Sequence, residues 1–381
     1  MTPTATPSKA RRALRGNPWA PTFRGVMLVT RIDLMRRKPS AKGYIFYGLV
    51  FAAITALGII AAVVAGPGKN SIPLELVLVL VLGVGFLIGP SLSATAINGD
   101  SGEGVLAPMQ MTRLTAGDLV VGKLLATWLV SVLALITAVP FMAYAFGRSG
   151  WSAGEVGIVL GVILFEVLVA TTFGLAWSSI AARSAVSVAL THITTGFLAF
   201  GTVVVYFFTL PLVSDTVTVK DRNFDWSNVT IEQQNDPDFD YTTLPCIDNT
   251  YDVSVAHSEH TAWMLLINPV VVVGEASPII NPETYKKDGR AAPGLFAAVH
   301  KGVGGVRLGP VAPQSYDSCA NPNGVYDDGA WQKREDEEAM ISRMPWLGLG
   351  LQLVLGIGAI TVAIRRLRVP YKKLRGGTRV A

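Results

Sequence analysis

Tyr44–Ala65 holds no charged side chain, and apolar runs of similar length recur at Pro73–Ile97, Leu119–Phe146, Glu155–Ala182, Val186–Leu212 and Trp346–Ile364. A helix of about 20 apolar residues covers a hydrocarbon core of about 30 Å. Lipid offers no hydrogen bonds to backbone amides, so such runs take the form that satisfies its own backbone, the helix. The spacing therefore predicts an all-α polytopic membrane protein with six transmembrane helices. Composition agrees, since 50% hydrophobic and 15% charged residues over 381 positions exclude an ordinary soluble chain. Gly83, Gly85, Gly89 and Pro90 in the second run predict a kink or close helix packing there.

Residues 213–345 carry 20 Asp/Glu and 10 Lys/Arg, a net of −10, while the rest of the chain carries 7 and 22, a net of +15. The cations flank the apolar runs, so they report membrane orientation and not nucleic-acid binding. Six spans put both termini on one side, and the positive-inside bias makes that side cytoplasmic. The N-terminal arm, the loop with Arg113 and Lys123, Arg183 and the Arg365-Arg366-Leu367-Arg368 tail are then inside, with Lys69, Arg148 and the acidic segment outside. The expected divisions are a cytoplasmic tail and interfacial helix (1–43), five spans with a cytoplasmic loop at 98–120 (44–212), an extracytoplasmic domain (213–345), a sixth span (346–364) and a basic cytoplasmic tail (365–381). Met1–Lys9 is rich in Pro, Thr, Ser and Ala and lacks a signal-peptide pattern. In Phe23–Lys38, Arg24, Arg31 and Lys38 share one face of an amphipathic helix suited to the membrane surface, the competing reading being a plain basic segment before a span.

The outer segment is expected to be irregular or mixed. Within it Trp263–Ile280 is apolar but broken by Asn268-Pro269, Glu275 and Pro278. A full crossing would put charged neighbours on the wrong side, so about 262–280 is expected to be a re-entrant or surface-lying outer helix. Cys246 and Cys319 both fall in this segment and are expected to form one disulfide in an oxidising compartment, with two unpaired buried thiols as the alternative. His257 and His260 flank Glu259 at helical spacing but have no Cys nearby, so no metal site is assigned. Asp236, Asp238 and Asp240 lack the Gly and terminal Glu of an EF-hand loop and read as a solvated turn. Asn228-Val229-Thr230 is a glycosylation sequon only in a host that modifies secreted proteins.

Glu166 falls in the middle of the fourth run, where an ionisable group is costly enough to suggest function. It is expected to line a substrate path or to pair with His192 of the fifth run, a plain hydrogen bond between helices being the alternative. Glu75 lies nearer a boundary and is expected to reach interfacial water.

The polar stretch Asp100–Leu125 separates the second and third runs. Its Gly117-Asp-Leu-Val-Val-Gly122-Lys123 imitates a phosphate-binding loop, yet Leu124 stands where Ser or Thr would hold magnesium, and no strand precedes it. No nucleotide site is assigned, and the chain is expected to be neither an enzyme nor a cofactor carrier.

Glu103-Gly104-Val105-Leu106, Thr112, Leu114-Thr115 and Leu119-Val120-Val121-Gly122-Lys123-Leu124-Leu125 resemble the loop of the membrane subunits (permeases) of type 2 ABC exporters. That family runs Glu-x-x-Gly-Thr-Leu-Glu through Thr-Pro-Leu-Ser to a hydrophobic triplet and Gly-Lys-Leu-Leu. The interval from Gly104 to Gly122-Lys123 is the same, while Ala107 stands for the second Glu, Pro108 follows it, and Arg113 replaces the Pro. The resemblance covers about Phe23–Leu212 and Ala262–Ile364. It implies a permease in the plasma (inner) membrane of a bacterium, paired with a second copy or a homologous permease. It also implies that the loop carries a coupling helix resting on a separate ATP-binding subunit, which alone binds ATP and magnesium. Asp100, Glu103, Arg113 and Asp118 would offer that partner polar contacts, and Val105, Leu106, Met109, Met111 and Leu114 apolar ones. A solvated loop that merely turns the chain is the bland alternative. Two other classes remain open: an ion-gradient-driven secondary transporter working through Glu166, and a membrane-anchored sensor or binding protein whose acidic outer domain is the working part. The cargo is not legible.

Overall fold

The computed structural model describes residues 19–37, 41–64, 70–237, 239–278, 294–311, 313, 315–320 and 329–368. The N-terminal tail, Lys38, the turn with Lys69, Asp238, most of the segment after Pro278, and the last basic residues lie outside them. The described chain is mostly helical, with one two-stranded sheet. It forms two compact units, one of residues 1–201, 266–299 and 344–381, the other of 202–265 and 300–343. Residues 266–299, expected within the outer domain, group with the membrane-type helices.

In the first unit α1 (Phe23–Arg36) and α2 (Ala41–Val64) precede α3 (Ile72–Ala94), and two short helices, α4 (Asn98–Gly102) and α5 (Leu106–Met111), lead into α6 (Ala116–Leu135). A 3-10 turn at Ile136–Ala138 lies between α6 and α7 (Val139–Ser149), within the single span expected there. Next come α8 (Ala153–Ile180) and α9 (Ser184–Gly196), which passes through a π-helical stretch, Phe197–Gly201. Among the described residues five helical stretches are long and apolar enough to cross a membrane: Ile72–Gly102, Ala116–Ser149, Ala153–Ile180, Ser184–Val213 and Pro345–Leu367. The core runs along α3 and α8, with Leu74, Val77, Leu78 and Val81 against Val159, Ile163 and Val167. Between apolar helices in lipid, small residues allow the close approach that packing requires. A Cβ on Gly89 would lie 2.6 Å from Thr171 Oγ1, and one on Gly85 would strike Val167. The close packing expected in this stretch is present at Gly85 and Gly89, whereas Gly83 has open space beside it, and α3 continues through Pro90.

The second unit begins with α10 (Thr202–Thr209) and is built on an antiparallel hairpin, β1 (Ser214–Phe224) with β2 (Cys246–Ala256), paired along its whole length from Ser214↔Ala256 to Phe224↔Cys246. A short helix, α11 (Ile231–Gln234), lies in the connection. Cys246 and Cys319 are joined across 73 residues of sequence, as expected. In the chain-entropy picture a closed loop of that length contributes about 4 kcal/mol. Beside it Arg222 N donates to Tyr316 O at 2.8 Å and Ser318 N to Arg222 O at 2.9 Å, which stitches a third segment to the hairpin. The chain then runs through α12 (Trp263–Leu266), α13 (Pro269–Ala276), α14 (Leu295–Leu308) and α15 (Gly329–Met340) to α16 (Pro345–Leu367). Residues 213–345, expected to be irregular or mixed, thus combine a hairpin with short helices among the described residues.

Candidate functional site

The loop between α3 and α6 is built from its capping residues outward. Thr115 Oγ1 accepts from Asp118 N at 3.0 Å while Asp118 Oδ2 accepts from Thr115 N at 2.8 Å, a reciprocal box that starts α6. The other oxygen of the same carboxylate accepts from Thr22 N and Thr22 Oγ1. Thr22 in turn caps α1 by accepting from Gly25 N at 3.2 Å. One carboxylate therefore fastens two helix N-termini, where its negative charge complements both dipoles. The glycines of the phosphate-loop imitation have a packing role. A Cβ on Gly117 would lie 2.5 Å from Trp19 O, and one on Gly122 2.6 Å from Val29 Cβ, so both let the N-terminal arm and α1 lie against α6.

Lys123 is 1% exposed, sealed between α1 and α4. Its Nζ donates to Asp33 Oδ1 at 3.1 Å and to an oxygen of Asp100. Arg36 then bridges Asp100 at 2.9 Å and Glu103 at 2.7 Å, and Arg37 meets Asp33 at 3.1 Å. Three cations face three carboxylates in one chain of contacts, so the desolvation of the buried members is offset by opposite charges in reach. The Asp100 hydrogen bond, its largest influence, holds the Arg36 guanidinium above its ordinary value. Residues ninety positions apart meet here, and nothing in the local pattern announced Asp33 or Lys123 as partners. The available signal was a lysine with apolar neighbours at the head of a span.

On this base sits α5. Gly104, with φ +72°, turns the chain from α4 toward it, a left-handed conformation that favours glycine. Asp100, Asp118 and Leu106, expected at a partner surface, are instead buried: the carboxylates are taken up by Lys123 and by the cap of α6, and Leu106, 5% exposed, packs with Ile97, Val120, Leu124, Leu175 and Leu367. Its place as the first residue of α5 turns it inward. Glu103 and Arg113 are exposed, Met111 is 77% exposed, and Val105, Met109 and Leu114 are half-buried. From the far end of α16, Leu367 O accepts from Gln110 Nε2 at 3.2 Å, and the guanidiniums of Arg368 and Arg365 lie 5.2 and 6.0 Å from the Trp19 ring centre. The N-terminal arm, the loop and the end of the last helix converge.

Deeper in the unit, Glu166 is fully buried on α8, where its carboxylate makes no close hydrogen bond among the described residues and has the Gln352 amide of α16 as its polar neighbour. It is not brought to His192, whose Nε2 lies 2.9 Å from Ser91 Oγ on α3. Glu75, expected at interfacial water, is 1% exposed, and its carboxylate accepts from Phe296 N at the start of α14 at 2.7 Å. Three more buried polar side chains hold the same stretch of chain. Asn268 caps α13 and donates to Ala199 O at 2.7 Å, Gln352 donates to Ile267 O at 3.0 Å, and Glu275 accepts from Met344 N at 3.0 Å. In the second unit His257 Nδ1 lies 3.0 Å from Glu259 and its Nε2 3.5 Å from Asp215, with the His260 ring stacked on it. Asp240 is drawn below the ordinary carboxylate value by hydrogen bonds from the Thr242 hydroxyl and backbone, and so closes a local turn.

Five apolar helices of spanning length place the chain in the class of helical membrane proteins. No protein-family model matches it, and no match is found among curated protein sequences.

Proposed function

We propose that the chain is the membrane subunit of an ATP-driven ABC exporter, with α5 as the element that receives the movement of a separate ATP-binding subunit. The observation that carries this reading is a short helix presented on a rigid, charge-balanced base, with the apolar Met111 and the cationic Arg113 left in solvent. Methionine adapts to a partner's groove, and an exposed cation adds electrostatic steering. Because α1, α6 and α16 brace the base, a push on α5 is passed to three helices together, as a bistable packing requires. In this reading α2, a 24-residue helix, is a sixth span, both termini are cytoplasmic, and α13 with the start of α14 forms a re-entrant outer segment. The apolar residues Phe23, Met27, Leu28 and Met35, exposed on α1, then lie against the bilayer. A second permease copy completes the pathway.

The test is co-purification from the native membrane. An ATP-binding subunit is expected with the wild-type chain, and Met111→Asp or Arg113→Glu is expected to lose it while the variant's thermal unfolding is unchanged. Isolation without any ATPase, or an ATPase indifferent to both substitutions, refutes the reading. The buried carboxylate of Glu166, with no cation beside it among the described residues, favours a second one, an ion-coupled carrier. That reading requires an ATP-independent flux abolished by Glu166→Gln.

A further inference from the structure

α2 and α7 run side by side in the first unit and touch where Phe141 fills the space a Cβ on Gly58 would need. Beside that contact lies an open groove of about 730 Å³. Phe51, Thr55 and Ile59 line it from α2, at the four-residue spacing that puts them on one helical face. Phe141, Tyr144 and Arg148 line it from α7. Thr55 apart, the walls are apolar along the groove's length, and its one charged lining residue among those described, Arg148, lies at one end. There the guanidinium donates to Tyr144 Oη at 3.3 Å. From Phe51 to Val63 the α2 wall rises about 18 Å at 1.5 Å per residue, close to the roughly 15 Å depth of one leaflet's hydrocarbon. The volume falls in the range of about 300–1,000 Å³ that holds small-molecule ligands.

We propose that this groove is a binding site for a membrane lipid with an anionic headgroup, one acyl chain lying between α2 and α7 and the headgroup phosphate at Arg148 and the Tyr144 hydroxyl. An apolar trough one leaflet long, with a cation and a hydroxyl donor at its head, is complementary in length, polarity and charge to that ligand. Bulk lipid would wet any apolar helix face. The grouping of Arg148 and Tyr144 at the groove's end selects the anionic species. The site is independent of the exporter reading, because it requires insertion in a bilayer and no ATPase.

The test uses the purified full-length chain in nanodiscs doped with a phosphatidylglycerol analogue that carries a photoreactive group midway along its acyl chain. Crosslinks are expected on the peptides spanning Phe51–Val63 and Pro140–Arg148, and to be competed by unlabelled phosphatidylglycerol but not by phosphatidylcholine. Arg148→Gln is expected to lower their yield roughly five-fold, the factor matching about 1 kcal/mol for one cation near anionic lipid, and Arg148→Lys to restore most of it. Ala62→Trp, which fills the groove and keeps the cation, is expected to abolish the crosslink while the variant elutes as the wild type does. Labelling spread evenly over the exposed helices, equal competition by phosphatidylcholine, or a yield indifferent to Arg148→Gln overturns the proposal.

Discussion

Replacing Lys123 by methionine removes the centre of the network between α1, α4 and α6 while keeping the side chain's length and its apolar stem. Asp33 and Asp100, whose side chains are 6% and 9% exposed, would then face each other without the ammonium between them. Breaking a buried ion pair by removing one partner costs about 3–5 kcal/mol, because the remaining charge stays desolvated. Arg37 on Asp33 and Arg36 on Asp100 still neutralise part of that charge, so the lower figure, about 3 kcal/mol, applies. At 1.4 kcal/mol per factor of ten, the separation of α1 from α6 should become roughly a hundredfold more frequent. Val29, 2% exposed on the buried face of α1, gives the readout as Val29→Cys. The chain's two native cysteines are joined to each other, so a thiol reagent reads the new site alone. Labelling is expected to accelerate about a hundredfold in the Lys123→Met background. Adding Asp100→Asn alone is expected to restore most of the protection, since Arg37 still meets Asp33 and Arg36 still meets Glu103, which leaves two cations on two carboxylates. A Lys123→Met chain labelled within about three-fold of the parent would mean that the network does not hold α1 in place.

Glu75→Ala leaves the buried Phe296 amide without its acceptor and should lower thermal stability by about 2 kcal/mol, whereas Glu75→Gln keeps an acceptor oxygen and should cost less than about 1 kcal/mol; equal losses in the two variants would count against the contact. In the second unit Asp225 and Asp240 both sit below the ordinary 3.8, held there by the Ser227 and Thr242 hydroxyls and then by the backbone amides of the same residues. The ionised forms favour the folded turns, so their contribution is complete above 3.8 and is lost as the pH falls through the lower folded values. Hydrogen-exchange protection at Ser227 and Thr242 is therefore expected to fall as the pH drops below 3.8, and the fall should vanish in Asp225→Asn and Asp240→Asn chains.

The apolar runs, the broken stretch at Asn268-Pro269 and the cysteine pair were legible because each is a local or compositional signal. Hydropathy reads how far a segment can be buried, and an even cysteine count in one acidic segment leaves a single pairing. The partners of the buried charges were not legible. Lys123 meets Asp33 ninety residues back, and Glu75 meets Phe296 across 221 residues. Periodicity gives the face a residue occupies but not which distant segment covers that face. Glu75 reads as interfacial because it begins α3, yet the start of α14 covers it. His192 and Glu166 invite pairing as the ionisable groups of adjacent spans, but His192 meets Ser91 on α3. Leu106 belongs to a mixed polar–apolar loop, which by itself does not say which apolar residues serve the core.

The Gly-Lys at the head of α6 shows why a residue pattern needs its surroundings before it is given a chemistry. In a phosphate loop the glycines free backbone amides and the lysine meets an anionic ligand. Here Gly117 and Gly122 admit the backbone and side chains of the N-terminal arm and α1. The anions that meet Lys123 are the chain's own Asp33 and Asp100. Both settings use the same properties, the missing Cβ and a cation that needs a counter-charge. In α6 they fix a helix crossing beneath the surface that carries Met111 and Arg113. The contacts of such a surface depend on that crossing, so a loosened Lys123 should weaken any partner of α5 even though Lys123 touches none of it.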